Sequence, residues 1–136
     1  MKERHVRVTQ SGEEPYGQII LAGHHVISSD EPVEFGGQDS GPDPYELVLA
    51  GLGACTAITL RLYADRHAWP LKEVQVDLTH AQQPGADGTP KDHFDRILTF
   101  TGDLTADQRA RLVDVAHRCP VSLTLQRAAE VTAREA

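Results

Sequence analysis

Apolar and polar positions change their rhythm several times along the chain, and each change predicts an element. Residues 4 to 9, RHVRVT, alternate, with Val6 and Val8 on one face and Arg7 on the other, as a half-buried strand would. Ser11-Gly12-Glu13-Glu14-Pro15 is turn chemistry, Tyr16 to Ala22 reads as a second strand, and His24 to Ser28 follows the bend at Gly23 as a third. Links this short allow only an antiparallel meander. Asp30 to Pro42, DEPVEFGGQDSGP, is dense in Gly, Pro and acids and predicts an exposed loop, a candidate rim for a pocket.

The longest apolar stretch lies between Asp43 and Trp69. Asp43 suits the N-cap, Pro44 the first helical position and Glu46 the acid of a capping box. From Leu47 to Leu60 no residue is charged, and Trp69-Pro70 stops the helix. A helix apolar all round is expected to be buried. The uncharged run of about 14 residues falls short of the roughly 20 that span a bilayer, so a core helix is expected.

Alternation returns from Leu71 to His80, with Val74, Val76 and Leu78 inward. Ala81 to Asp92 reads as a loop, and Phe94 to Thr101 as the returning strand, with Phe94, Arg96, Leu98 and Phe100 at alternate positions. Thr105 and Gln108 form a capping box for a helix running to about Arg118 and burying Leu112, Val113, Val115 and Ala116. Cys119-Pro120 breaks it and opens a short helix, Val121 to Arg127, with Cys119 as N-cap. Val131-Thr132 suggests a closing strand. The order βββ-α-ββ-αα-β segregates strands from helices in part, so the fold class is α+β.

Composition narrows the function classes. The 136 residues suit one domain, 1–136, with an ordinary apolar content of 40%. A net charge of −7 argues against nucleic acid as a partner. The N-terminus MKERHVRVTQ has no apolar signal core, so the cytoplasm is expected, with no membrane partner. The seven histidines show no ligand spacing, and neither a metal nor another cofactor is expected.

That leaves the two cysteines. In a reducing compartment a disulfide would be transient and catalytic rather than structural, and the spacing of Cys55 and Cys119 is neither a CxxC redox motif nor a zinc framework. Thiol reactivity follows from a helix N-terminus or a nearby cation. Cys119 has a predicted helix start and Arg118 beside it in sequence; Cys55 has neither locally. The alternative for each is a small buried hydrophobe.

The segments DPYELVLAGLGACTAITLRLYADR and HRCPVSLTL resemble the OsmC/Ohr family of osmotically inducible and organic-hydroperoxide-resistance proteins, in the broad OsmC-like branch. The shared features are a Pro-x-Glu-Leu helix start, small residues leading to Cys55, and the Cys119-Pro120-Val121 motif. The resemblance implies antiparallel sheets packed on a long buried central helix, in an intertwined homodimer with active sites at the subunit interface. It implies a thiol peroxidase acting on organic or fatty-acid hydroperoxides, with Cys55 peroxidatic, Cys119 resolving, and a cellular dithiol as reductant. The family's hydroperoxidases place an acid directly after the helix-start proline and an N-terminal arginine on the thiolate. Here Tyr45 follows Pro44. Glu46 comes next, about half a turn out of phase with Cys55 and some 13 Å away along the axis, which suits a cap better than a catalytic acid. Arg7, and less so Arg4, are the N-terminal arginines available, with His24, His25, His117 and Arg118 as substitutes. The alternative reading keeps the fold and drops the catalysis: a dimer binding a small apolar ligand, its cysteines structural or redox-sensing.

Overall fold

The computed structural model describes residues 2–136, which form two compact units, one up to Val48 and one from Leu49 to Ala136. In the first unit β1 (Val6–Gln10), β2 (Gln18–Ala22) and β3 (His25–Ser29) form an antiparallel sheet in chain order, the expected meander. Val8 faces Ile20 across one ladder and Ile20 faces Ile27 across the next. The expectation that β1 is half-buried fails: the strand is exposed along its whole length, since in its own unit it pairs edge to edge with β2 and no helix of that sheet's segment packs on it among the described residues.

The segment after β3 is more ordered than its Gly- and Pro-rich composition predicts. It holds a short 3-10 helix, Val33–Phe35, and is gathered around Asp30, a buried carboxylate. Asp30 Oδ2 accepts from the Ser40 hydroxyl at 2.8 Å and from the Ser40 and Gln38 N–H groups, each at 3.2 Å; Oδ1 accepts from Glu31 N–H. These donors, the Ser40 hydroxyl foremost, hold the Asp30 carboxyl below its ordinary range.

α1 (Pro44–Arg66) begins as the capping pattern predicts. Asp43 Oδ1 accepts from Glu46 N–H at 2.8 Å, and Glu46 Oε1 accepts from Asp43 N–H at 3.1 Å. It ends on a bond from Trp69 N–H to the Ala64 carbonyl, with Ala68 left-handed at φ 53°, the closure usually given to glycine.

In the second unit β4 (Leu71–Pro84) and β5 (Pro90–Gly102) form a hairpin. It is longer than expected, since the predicted loop at 81–92 is mostly strand. Pairing continues from Ala81↔His93 to Pro84↔Pro90, and the tip turns at Gly85 to Thr89. The inner face carries Val74, Val76, Leu78, Phe94, Arg96, Leu98 and Phe100, as the alternation predicts. α2 (Ala106–Ala116) has its capping box from Thr105 and Gln108, and α3 (Pro120–Gln126) starts at Pro120 with Cys119 as N-cap. Val113 is not buried, at 44% exposed; it lies on the outer side of α2, away from Leu112, Val115 and Ala116. No strand forms at Val131, which is 90% exposed and has no partner strand among the described residues.

The core of this unit joins Leu60 and Ala64 of α1 to Leu71, Leu112, Val115 and Ala116, with Val74, Leu98 and Phe100 packed against them. Gly53 lets the helix approach the hairpin, since a Cβ there would stand 2.7 Å from Leu78 Cδ1. Length and composition alone would let α1 cross a bilayer, but it packs as a core helix, with Leu52, Gly53, Thr56, Leu60 and Ala64 buried. That burial is one stripe only. Ile58 is 61% and Leu62 51% exposed, so the expected all-round burial is not met within this chain.

Candidate functional site

The buried stripe of α1 carries Thr56 toward the start of α3, where its Oγ1 lies 3.7 Å from the Cys119 sulfur. Cys119 is fully buried. Its sulfur also accepts from Ser122 N–H at 3.4 Å, as the N-cap of α3. Thr56 is the residue directly after Cys55, so the wall against which Cys119 packs is the turn of α1 that bears the other thiol. Cys55 lies on the flank of the stripe and is half-buried. Both thiols are free.

Between these elements lies a cation that sequence reasoning left unassigned. Arg96, on the inner face of β5 opposite Leu78, donates through Nη1 to Thr56 Oγ1 at 3.0 Å and to the Ala116 carbonyl at 2.9 Å. The same nitrogen lies 3.8 Å from Cys119 Sγ, and Nη2 donates to Ser122 Oγ at 3.3 Å. One guanidinium thus joins β5 to α1, to the end of α2 and to the first turn of α3. Its sequence signal is a charge placed between Phe94 and Leu98 in an apolar register; such charges are seldom turned inward without a partner.

The hydroxyl hydrogens can be assigned. Thr56 has one, and it is donated to the Leu52 carbonyl at 2.7 Å. Thr56 Oγ1 therefore acts as an acceptor toward Arg96, and in the contact with Cys119 the thiol hydrogen is the one that points to it. Ser122 Oγ likewise accepts from Arg96 and from Gln126 Nε2, the latter at 2.9 Å.

The remaining expected site residues are placed as follows. Arg7 stands in β1 of the first unit opposite Leu21, exposed, and Arg4 precedes that strand, also exposed. Glu46 is engaged with Asp43 at the start of α1, and Tyr45 in the same turn is exposed. The His24 and His25 rings lie with centroids 4.0 Å apart, tilted by 38°. Arg118 is exposed at the end of α2, whereas His117 lines a cleft with Arg96.

That cleft has a volume of about 520 Å³. Leu52, Phe94 and Leu125 supply its apolar wall; Arg96, Lys91, His93 and His117 supply its polar one. Its carboxylate, Asp92, is turned to His80, whose Nε2 lies 2.8 Å from Asp92 Oδ1. The His80 hydrogen bond, with a second from Gln82, holds Asp92 below the usual aspartate range. Among the described residues no set of three His, Cys, Asp or Glu side chains is arranged to hold a metal.

Comparison with known proteins follows the same geometry. A family model described as "OsmC-like protein" matches residues 37–134. The fold is similar to that of an OsmC-like protein from Mycoplasma pneumoniae, with a TM-score of 0.77 at 19% identity over 92% of this chain and 88% of that one. It is also similar to an organic hydroperoxide resistance protein OsmC from Legionella pneumophila (TM-score 0.71, 20% identity, 93% and 90% covered). The organic hydroperoxide resistance protein OhrB of Bacillus subtilis gives a TM-score of 0.66 at 20% identity, over 92% and 91% of the two chains. A comparison with curated protein sequences gives no match.

Proposed function

The chain belongs to the OsmC-like family, and on that footing we propose that it is a thiol-dependent peroxidase that reduces organic or fatty-acid hydroperoxides. The observation that carries this reading is the contact of Thr56 with Cys119, which joins the second cysteine motif to the turn of α1 bearing Cys55. Consecutive Cα atoms are about 3.8 Å apart, so the neighbour of Cys55 is already in contact with the other sulfur.

In this reading the half-buried Cys55 meets the peroxide and the buried Cys119 resolves it. The Cys55 thiolate attacks the distal peroxide oxygen; the O–O bond breaks, the alkoxide takes a proton and leaves as the alcohol, and Cys55 becomes a sulfenic acid. The Cys119 sulfur then attacks the Cys55 sulfur. Its thiol proton joins the departing hydroxide as water, and a disulfide remains. A cellular dithiol reduces that disulfide, with the cytoplasm as the expected compartment. Ser122 N–H donates to the Cys119 sulfur and Arg96 Nη1 stands 3.8 Å from it; the division of roles itself rests on the resemblance and on the greater exposure of Cys55.

A homodimer completes the proposal. Ile58 and Leu62 leave an apolar stripe of α1 open to solvent, and Ile97 does so on the outer face of β5. A second copy covering that stripe would give α1 the all-round burial its composition suits.

The test is peroxide turnover with a dithiol. Wild type is expected to consume cumene hydroperoxide, Cys55→Ser to lose turnover, and Cys119→Ser to stop at a sulfenic acid trapped by dimedone. Consumption by Cys55→Ser at the wild-type rate would refute the assignment. One observation favours a second reading, a non-catalytic dimer binding a small apolar ligand: Arg96 stands beside Cys119 and is hydrogen-bonded to Thr56, Ala116 and Ser122, while within the described residues the Cys55 sulfur has no hydrogen-bond partner. That reading requires wild type and Cys55→Ser to be equally inert.

A further inference from the structure

We propose that the cleft at Arg96 is a binding site for an organic carboxylate, a small anion with an apolar tail. Arg96 has five N–H donors. Nη1 spends two on Thr56 and the Ala116 carbonyl, and Nη2 spends one on Ser122. Nε–H and the second Nη2–H have no acceptor among the described residues, and these two can present the fork that fits a carboxylate with two parallel hydrogen bonds.

Charge points the same way. Arg96 is half-buried and forms no ion pair within the described residues, whose salt bridges are Arg61–Asp65 and His80–Asp92. Lys91 adds a second cation to the lining against the one carboxylate of Asp92, a positive balance in a protein whose formal net charge is −7 with histidines counted as neutral. Asp92, the acid in that lining, already has its Oδ1 taken by His80 and Gln82. A half-buried cation without a counter-charge is favoured by an anion brought from outside.

The apolar wall sets the rest of the ligand. Leu52, Phe94 and Leu125 stand beside the guanidinium, and a cleft of about 520 Å³ lies within the usual range for small organic ligands. Inorganic anions would satisfy the fork and leave this wall wet; a neutral alcohol would do the reverse. The site does not depend on Cys55, which is not among its lining residues.

Titration calorimetry of the full-length reduced protein tests the assignment, with octanoate, octanol and inorganic phosphate as probes. Octanoate is expected to bind at least tenfold tighter than either of the others. Leu125→Glu, a change at a partly exposed position that adds a repelling carboxylate without touching the Arg96 hydrogen bonds, is expected to weaken octanoate at least tenfold; Arg96→Lys, which keeps the charge and loses the fork, is expected to weaken it as well. The Cys55→Ser protein is expected to bind octanoate as wild type does, whether or not wild type is a peroxidase. Equal binding of octanol, equal binding of phosphate, or undiminished octanoate binding by Leu125→Glu would overturn the proposal.

Discussion

Arg96 and Thr56, 40 residues apart in the chain, meet at 3.0 Å, and through that bond the hairpin holds the helix turn against which Cys119 packs. The same guanidinium caps the Ala116 carbonyl and reaches Ser122. Arg96→Met removes a charged donor from three partners at once and is expected to lower stability by about 2–4 kcal/mol, read as the shift in urea midpoint. Arg96→Lys, with one point of charge in place of a planar fork, should recover only part of the loss. A shift within about 0.5 kcal/mol for Arg96→Met would show that the hydrogen bonds contribute little.

The open face of α1 makes the second prediction. Ile58 is 61% exposed within the chain, where a polar replacement at a true surface position would change stability by less than about 0.5 kcal/mol. In the proposed homodimer that face is covered, and Ile58→Glu is expected to convert the dimer to a monomer by sedimentation velocity. Wild type sedimenting as a monomer would remove the basis for the dimer.

Ala68 closes α1 at φ 53°, where a Cβ crowds the following carbonyl. Ala68→Gly relieves that crowding at a position with an intact closing bond from Trp69 to Ala64. A gain of about 1 kcal/mol in unfolding free energy is expected.

Asp30 predicts a pH dependence in the first unit. Its folded carboxyl lies below the ordinary 3.8, so the charged form binds the loop donors more strongly than it is solvated in the unfolded chain. The resulting stability is fully present above the ordinary value and is lost as pH falls through the lower folded one. Asp30→Asn should therefore be clearly less stable than wild type near neutrality, with the difference shrinking in acid. Parallel urea midpoints across the whole pH range would contradict the role of the charge.

Much of the fold is legible because its signals are local. Asp43 with Glu46, Thr105 with Gln108, and Cys119 before Pro120 each mark a helix start within four residues, and each start is where the pattern puts it. The hairpin tip misleads because Pro84, Gly85 and Pro90 carry turn chemistry, while the pairing that extends the strands around them is set by the partner strand. Burial of α1 misleads for another reason. An apolar helix reads the same whether its own chain or a second copy covers it, and here Leu60 is fully buried in the core while Ile58 is 61% exposed.

The surroundings of Cys119 are legible in the sequence only in part. Cys119 as N-cap follows from Pro120, whereas Arg7, the cation that the resemblance implies for the Cys55 thiolate, stands exposed in β1 of the first unit, and no local pattern marks the guanidinium near Cys119. Alternation along β5 already put Arg96 on the inner face with Phe94 and Leu98. What it meets there depends on the packing of α1 and α2 on the hairpin, which no local pattern encodes.

Counting thiols after a single stoichiometric dose of cumene hydroperoxide tests the central claim most directly. The reduced protein is treated, alkylated and mapped by mass spectrometry. A Cys55–Cys119 disulfide with both thiols lost together is predicted. Both cysteines remaining fully alkylatable, with the peroxide unconsumed, would contradict it.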